Sequence, residues 1–317
     1  MARTKIEILL ATYNGERHLA AQIDSLFAQT NRDWRLIARD DGSCDRTVAI
    51  LRDYAVRHPH RIELVEDADG GLGARGNFGR LMERATADYV MFCDQDDVWL
   101  PDKIDRLLEA MHSLEADCGA DTPLIVHSDL RVVGPDLDEL HRSFWEYQGI
   151  DPAFGRSINR LLIQNVVTGC ASLCNRKLVE IALPVPAEAM MHDWWLALVG
   201  ASFGRIGFVN ESTVLYRQHS GNTLGAKRFQ MSAMALRGLR APGQAYSRAR
   251  RILEATERQA QALLHRYGER MPGPIRDAVS LFAALSVQGF VERRLTILRH
   301  RFLTKGLVPR LVLLATI

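Results

Sequence analysis

The chain has 317 residues, of which 47% are hydrophobic and 25% charged, a balance typical of a globular protein with one large or two smaller domains. The net charge of +2 conceals an asymmetry: residues 1–224 carry 23 basic and 33 acidic residues, whereas residues 225–317 carry 17 basic and 5 acidic ones. This division predicts two parts with different partners, the basic one with something anionic.

Several classes of protein are excluded by the same survey. No apolar run reaches the roughly 18–20 residues that span a bilayer, and the N-terminus lacks the apolar segment and cleavage site of a signal peptide. The five cysteines are scattered and lack zinc-site spacing, which favours a reducing compartment. We therefore expect a cytoplasmic protein, soluble or peripheral to the inner face of the membrane.

Strand-like and helix-like segments alternate along the first third of the chain. The strand-like segments are residues 6–12, 34–38, 61–65 and 89–92. The helix-like segments are residues 15–28, 46–56 and 77–85, and a further helix begins at Pro101. This alternation predicts βαβ units, and hence an α/β fold with a mostly parallel sheet flanked by helices.

The second half of the chain changes character twice. Residues 123–130 and 165–175 read as strands, and "HDWWLALVGAS" (192–202) reads as a helix with an exposed polar start. Beyond residue 225 the strand signals end, and Arg-rich helical segments follow with a break at residues 271–274. We therefore predict a catalytic-type α/β domain over 1–224 and a basic helical region over 225–317.

Polar clusters follow three of the first four predicted strands. They are Thr12-Tyr13-Asn14, Asp40-Asp41-Gly42-Ser43 and the acidic group Asp94–Asp97. Ligands bind beyond the carboxyl ends of the strands in such sheets. One cluster would be an ordinary loop, but three at equivalent ends predict one shared site.

The acidic group lies in "CDQDDVW" (93–99), directly after an apolar strand. Three carboxylates within four positions repel one another, and they suit a hard divalent cation with oxygen ligands, Mg²⁺ or Mn²⁺. The alternative is a solvated loop whose aspartates cap the helix beginning at Pro101. That alternative does not explain why the acids abut a buried strand, so we favour the metal.

Other candidate residues have structural alternatives of similar weight. Asp40, Asp41 and Ser43 offer acceptors to a ligand, or Ser43 and Asp45 cap the following helix. "GGLGARGNFGR" (70–80), which contains Asn77, lies close to a diphosphate or forms a plain loop or lid. It lacks the spacing of a Walker A or dinucleotide fingerprint.

Two segments of the second half carry further candidates. Asp193 lies beside two tryptophans, where partial desolvation would raise its pKa and make it a better base. Alternatively it is an N-terminal helix aspartate favoured by the helix dipole. Arg217 and His219, in "YRQHSGNT", are candidates for binding a diphosphate or sugar hydroxyls.

Together these segments resemble the inverting glycosyltransferases of family 2, which have the GT-A (Rossmann-like) fold. The resemblance covers roughly residues 4–225. It is carried by "ATYNGERHLAAQIDSLFAQT", "DDGSCDRT", "YVMFCDQDDVWLPDKI" and "HDWW" in this order. The motifs "FCDQDDVW" and "HDWW" resemble those of bacterial rhamnosyltransferases and related O-antigen or exopolysaccharide enzymes.

The resemblance implies a nucleotide-sugar donor and assigns residues to it. Tyr13 stacks near the nucleobase, Asp41 accepts a hydrogen bond from it with support from Asp40, and Asp94 lies near the ribose or donor sugar. The candidate donor-binding residues are Thr12, Tyr13, Asn14, Asp40, Asp41, Asn77, Asp94, Arg217 and His219.

The resemblance also implies the chemistry. Asp96 and Asp97 hold Mg²⁺ or Mn²⁺ against the donor diphosphate, and Asp193 deprotonates the acceptor hydroxyl in a single inverting displacement. The first-choice donor is dTDP-L-rhamnose, and the acceptor is a glycan or polyprenyl-linked glycan. The alternatives are a UDP-hexose donor, a non-catalytic nucleotide-sugar-binding or scaffold protein, and a nucleotidyltransferase. No "QxxRW" stretch is present, which favours transfer of single sugars.

The C-terminal part has two interpretations. Residues 291–317, "VERRLTILRHRFLTKGLVPRLVLLATI", mix basic and apolar residues as a segment at an anionic membrane surface does. The alternative is a helical module for homodimerisation or packing. No nucleic-acid-binding motif accompanies the basic charge, so we expect no nucleic-acid partner.

Overall fold

The computed structural model describes residues 5–67, 70–219 and 242–305. The domain boundary predicted at residue 224 and the apolar end of the chain, residues 306–317, lie outside the described residues. Within the described ranges, no helix combines the length and apolar character needed to cross a bilayer.

Strands and helices alternate through the N-terminal half, as the apolar patterning predicts. The strands are β1 (Ile6–Thr12), β2 (Trp34–Asp40), β3 (Ile62–Val65), β4 (Tyr89–Cys93), β5 (Val98–Trp99), β6 (Leu124–Val133), β7 (Glu139–His141), β8 (Ser172–Asn175) and β9 (Arg205–Arg217). The α-helices are α1 (Leu19–Phe27), α2 (Thr47–Arg57), α3 (Gly73–Arg84), α4 (Lys103–Cys118), α5 (Phe144–Gln148), α6 (Ile158–Leu161), α7 (Arg176–Ala182), α8 (His192–Phe203), α9 (Pro242–Tyr267), α10 (Gly273–Ala283) and α11 (Phe290–Arg299).

These strands form one sheet in the described part of the chain. Its order is β3-β2-β1-β4-β8-β6-β9-β5, with β7 paired to β6. The first four strands pair in parallel, β8 is antiparallel to both β4 and β6, and β9 is parallel to β6. The α/β prediction is confirmed, and the arrangement is that of a GT-A fold.

Helices cover both faces of the sheet, which explains why β1 is apolar apart from Glu7 and Thr12. Leu9 packs on the face that carries Phe78 of α3, whereas Ile8 and Leu10 pack on the face that carries Ile104 of α4. All five of these apolar side chains are almost completely buried. The parallel pairing therefore places the carboxyl ends of β1, β2 and β4 side by side at one edge.

Three predicted element boundaries are wrong. α1 begins at Leu19 instead of residue 15, because residues 16–18 form a turn. α3 begins at Gly73 instead of residue 77, because the Asp41 carboxylate accepts hydrogen bonds from the backbone N–H groups of Leu72 and Gly73 and so satisfies the helix start. The strand predicted over 165–175 is limited to Ser172–Asn175, after a 3₁₀ turn at Gly169–Ala171.

The helices after residue 242 pack against the α/β part of the chain. Leu263 and Phe282 belong to the same buried cluster as Trp195 of α8. The Tyr267 hydroxyl donates to the Ile181 carbonyl over 2.6 Å, and the Met190 N–H donates to Gln259 Oε1 over 2.8 Å. The basic helical region therefore extends the core immediately behind the start of α8.

Candidate active site

The loops after β1 and β2 are joined by a network of short polar side chains. Thr12 lies opposite Asp40 in the sheet and donates to its Oδ1 over 2.9 Å. Ser43 Oγ donates to the same carboxylate over 2.6 Å and accepts from the Asn14 N–H over 2.7 Å. Thr12, Asn14 and Asp40 thus come together as predicted, and their hydrogen bonds fix the shape of both loops.

Tyr13 is held by its backbone while its ring stays accessible. Gln95 accepts from the Tyr13 N–H over 2.8 Å and donates to its carbonyl over 2.9 Å. Gly15 makes this approach possible, because a Cβ there would collide with the Gln95 amide. The Tyr13 ring is 55% exposed. This clamp ties the first loop to the acidic loop and presents an aromatic face to solvent.

Asp41 and Asn77 lie deeper. Besides capping α3, Asp41 accepts from Arg39 Nη1 over 3.1 Å. The same Arg39 nitrogen donates to Asn77 Oδ1 over 3.1 Å, and the Asn77 amide donates to the Thr12 and Arg39 carbonyls. Both side chains are almost completely buried. In this arrangement Asn77 supports the ends of β1 and β2 from behind, and its amide is used within the protein.

The inner side of the acidic cluster contains Asp94, Asp97 and a cysteine. One oxygen from each carboxylate and Cys170 Sγ lie within 4.8 Å of one another. Asp97 is completely buried, and its Oδ2 accepts no hydrogen bond from the described residues. Burial, with the negative charges of Asp96 and Asp193, raises the pKa of Asp94 to about 7. Burial likewise raises the pKa of Asp97 well above its usual range.

A buried lysine lies beneath these acids. Lys103, at the start of α4, is completely buried; its Nζ donates to the Cys170 carbonyl and lies 3.1 Å from the centroid of the Trp99 ring. Burial lowers the pKa of Lys103 to about 7, against the opposing influence of Asp97 and Asp94. Asp94 and Asp97 therefore share one buried amine on this side of the cluster.

The outer side of the cluster faces the end of β9. Asp96 Oδ2 lies 2.8 Å from His219 Nε2, and the His219 ring is 5.0 Å from that of His18. Arg217 is buried: its N–H donates to Asp97 Oδ1 over 3.0 Å and its Nε to the Asp96 carbonyl over 2.7 Å. Arg217 thus fixes the acidic loop, while Asp96 and His219 form its more accessible part.

Asp193 lies in the first turn of α8. Its Oδ2 accepts from the Gly169 N–H over 3.0 Å, and its Oδ1 from the Trp194 N–H over 2.6 Å. Burial raises the pKa of Asp193 to about 6, the direction predicted from its aromatic neighbours. The adjacent His192 packs against Phe78, and burial lowers its pKa to about 3, so it is neutral and Asp193 is the better base.

Four residues around the site escaped the sequence reasoning: Gln95, Lys103, Cys170 and Gly169. Gly169 is required because a Cβ there would lie 2.8 Å from His192 Nε2. Gln95 lies between the acids of "CDQDDVW", and its polar nature there was the available signal, whereas Lys103 reads as an ordinary solvated lysine at a helix start. Gly169 and Cys170 carried no signal, because only the fold brings β8 next to β4.

An exposed tyrosine, an acidic cluster and a separate carboxylate thus lie near the carboxyl edge of a GT-A sheet. A family model described as "Glycosyl transferase family 2" matches residues 7–181, more than half of the sequence. The chain belongs to this family and is a glycosyltransferase.

Relatives and solved structures agree with this assignment. The chain is 26% identical to dTDP-rhamnosyl transferase RfbG of Shigella flexneri over 222 residues, 68% of this chain and 74% of that protein. It is 31% identical over 115 residues to succinoglycan biosynthesis protein ExoW of Rhizobium meliloti, 36% of each chain. The mannosyltransferase PcManGT of Pyrobaculum calidifontis, solved with GDP-Man and Mn²⁺, has the same fold (TM-score 0.54, 16% identity, 95% of this chain and 85% of that one).

Proposed function

We propose that the protein is a metal-dependent, inverting glycosyltransferase that moves one sugar from a nucleotide-sugar donor to a glycan or lipid-linked acceptor. The observation that carries the proposal is the convergence of Asp193 on the acidic cluster. The two come from segments about a hundred residues apart, yet Asp193 accepts from the Gly169 N–H over 3.0 Å, and the thiol of the next residue, Cys170, lies within 4.8 Å of the carboxylate oxygens of Asp94 and Asp97. A carboxylate base beside a cation site is the arrangement that this reaction needs.

We assign the nucleoside to the region next to the loops after β1 and β2. A cleft of about 390 Å³ lies between β2, β3 and α2, with Asp40, Val48, Leu51 and Leu64 among its lining residues. The exposed Tyr13 ring offers a stacking surface, and every base has a face that can stack. We assign Asp40 and Asp41 as the acceptors that orient the base and ribose, with Asp41 also holding the start of α3.

Asp96 and Asp97 would hold Mg²⁺ or Mn²⁺, with His219 beside Asp96. The fit rests on Asp97, whose Oδ2 is buried without an N–H or O–H donor among the described residues, and on Asp94, whose carboxylate oxygen lies within 4.8 Å of that of Asp97. When bound, the ion supplies a Lewis acid for the leaving diphosphate. The Cys170 thiol is a poor ligand here, since burial raises its pKa and keeps it protonated.

The proton and the sugar then move in one step. Asp193 accepts the proton of the acceptor hydroxyl while the hydroxyl oxygen forms a bond to the anomeric carbon of the donor sugar. In the same step, the bond between that carbon and the diphosphate oxygen breaks. The Gly169 and Trp194 N–H groups orient the carboxylate. Attack from the face opposite the diphosphate inverts the anomeric configuration, and no covalent enzyme intermediate forms.

We propose dTDP-L-rhamnose as the donor, because RfbG, to which the chain is similar over most of its length, is named a dTDP-rhamnosyl transferase. A surface polysaccharide, or its lipid-linked precursor, is the proposed acceptor, supported by the likeness to ExoW, which is named for succinoglycan biosynthesis. A UDP-hexose is the alternative donor.

A thermal-shift screen tests the donor assignment. The protein is heated with dTDP-L-rhamnose, UDP-glucose, UDP-galactose or GDP-mannose, each with and without Mn²⁺. We expect dTDP-L-rhamnose to raise the melting temperature only with the metal. If only a UDP-hexose stabilises the protein, the donor assignment changes to that sugar nucleotide and the proposed reaction is unaffected. Equal stabilisation by the donor with and without Mn²⁺ would refute the metal role.

A further inference from the structure

The outer side of α11, the last described helix, carries exposed apolar side chains. Its inner side packs on the core through Thr296 and Ile297, which are buried. About 100° separates successive residues around a helix, so Val291, Leu295 and Leu298 lie on the opposite side. They are 66%, 46% and 49% exposed, respectively. A soluble surface helix normally carries polar residues there.

The apolar patch extends beyond these three residues. Phe290 is 69% exposed at the start of the helix, and the guanidinium carbon of Arg294 lies 3.5 Å from the centroid of its ring. Val287, just before the helix, is also highly exposed. We call the set Phe290, Val291, Leu295 and Leu298 the α11 outer face. Contiguous exposed apolar residues of this kind mark an interaction surface.

The helix is firmly attached to the rest of the molecule. Asn159 donates to the His300 carbonyl over 2.7 Å, and Arg160 donates to the Leu303 carbonyl over 2.6 Å. Phe302 is completely buried against Phe282. The α11 outer face is therefore held in place by the anchored C-terminal end of the helix.

The positive charge around the α11 outer face favours a binding partner that is both apolar and anionic. Residues 287–305 contain five basic residues and one acidic residue, Glu292. A second copy would bring the same positive surface and oppose arginine to arginine. Residues 306–317 supply Arg310 and no acid, so they offer no complementary charge either. A bilayer containing anionic phospholipids supplies both apolar chains and negative phosphates.

A cavity for a phosphate adjoins the helix. An open cavity of about 420 Å³ lies at the C-terminal end of α11, lined by Ser157, Asn159, Arg160, His300 and Arg301 among others. Arg301 is only three residues from Leu298. Asn159 and Arg160 each already donate to a backbone carbonyl, whereas the Ser157 hydroxyl and the exposed Arg301 guanidinium are donors suited to phosphate oxygens.

We propose that the α11 outer face docks the protein on an anionic phospholipid bilayer. Val291, Leu295 and Leu298 enter the boundary between headgroups and acyl chains, and the neighbouring arginines contact lipid phosphates. α6 connects this surface to the site, because the Leu161 carbonyl accepts from the indole of Trp194, next to Asp193, over 2.6 Å. A lipid-linked acceptor would thus be met at the membrane.

Vesicle co-sedimentation of the full chain tests the proposal without any donor, so its result is independent of the glycosyl-transfer chemistry. We expect binding to phosphatidylcholine vesicles that contain one quarter phosphatidylglycerol and little binding to pure phosphatidylcholine. The variant Val291→Ser/Leu295→Ser/Leu298→Ser should bind about tenfold or more weakly. Val56→Ser on α2, where the valine is 79% exposed, is the matched control and should bind normally. Equal binding to both vesicles, or by both variants, overturns the proposal.

A second measurement tests the proposal even if the triple variant does not fold. Leu295→Cys is labelled with an environment-sensitive dye in a Cys44→Ser/Cys118→Ser background; the other three cysteines are buried. We expect emission typical of water in the free protein and a blue shift on adding anionic vesicles. Emission that is already blue-shifted in the free protein, and unchanged by vesicles, would show that residues 306–317 or a second copy cover this face and would overturn the proposal.

Discussion

Replacing Asp193 by Asn removes the proposed base while keeping its shape. The amide oxygen still accepts from the Gly169 or Trp194 N–H, so the start of α8 and the donor site should be unchanged. General base catalysis typically contributes about 10²–10⁴-fold. We therefore expect kcat to fall by at least about 100-fold with little change in donor affinity.

The pH dependence follows from the burial of Asp193. Its folded-state pKa is about 6, and only the ionised form accepts a proton. It is about 90% ionised at pH 7 and about 10% at pH 5, so base-limited turnover should fall about tenfold over this interval as pH decreases. Above pH 7 turnover should level off. The Asp193→Asn variant should lack this limb.

The assay measures release of nucleoside diphosphate at saturating donor, acceptor and Mn²⁺ between pH 5 and pH 8. Donor affinity is measured by calorimetry at each pH, so that changes in metal or donor binding are separated from changes in turnover. Near-normal turnover of Asp193→Asn, or a wild-type kcat that does not change between pH 5 and pH 7, would refute the role of Asp193 as base.

Three further substitutions separate binding from stability. Asp97→Asn should change the free energy of unfolding by less than about 1 kcal/mol, because burial already favours the neutral acid, yet it should abolish Mn²⁺-dependent donor binding; Mn²⁺-dependent donor binding that persists in this variant would contradict the metal role. Asp41→Ala should lower the free energy of unfolding in urea by about 2–3 kcal/mol, because the start of α3 and Arg39 lose their acceptor. The control Asp45→Ala should lower it by about 1 kcal/mol, and equal losses would show that Asp41 does not hold α3. Tyr13→Ala should weaken donor binding roughly tenfold through lost stacking, with an unchanged melting temperature, and Tyr13→Phe should restore it; full affinity for Tyr13→Ala would rule out stacking.

The fold was predictable because its local signals agree. β1 is an apolar run buried on both faces, and helical spacing follows it at once, so periodicity alone indicates a βαβ unit. Parallel pairing then requires the ends of β1 and β2 to meet, and Thr12 does lie opposite Asp40. Parallel pairing of β4 with β1 likewise places the acidic loop after β4 at this edge.

The misplaced elements depend on long-range contacts. Three glycines, at 70, 71 and 73, argue locally for a loop, but the Asp41 carboxylate, some thirty residues earlier, starts α3 at Gly73. Residues 165–171 have the apolar and β-branched composition of a strand, yet only Ser172–Asn175 find partners in β4 and β6. Local propensity cannot predict element boundaries that tertiary contacts determine.

The site shows the same limit. Asp96 and Asp97 are adjacent in sequence, but one lies beside His219 and the other is buried near Cys170. Their different environments depend on how β9 and the 3₁₀ turn before β8 pass the acidic loop. Lys103 was invisible for a related reason, since a lysine at the start of a helix is usually solvated, and here it is completely buried.

The stereochemistry of transfer tests the central claim most directly. The protein is incubated with Mn²⁺, the donor selected by thermal shift and a glycan acceptor, and the new glycosidic bond is examined by the one-bond carbon–hydrogen coupling at the anomeric carbon. A single displacement with Asp193 as base predicts a product whose anomeric configuration is opposite to that of the donor. A product with the donor's own configuration would contradict the account.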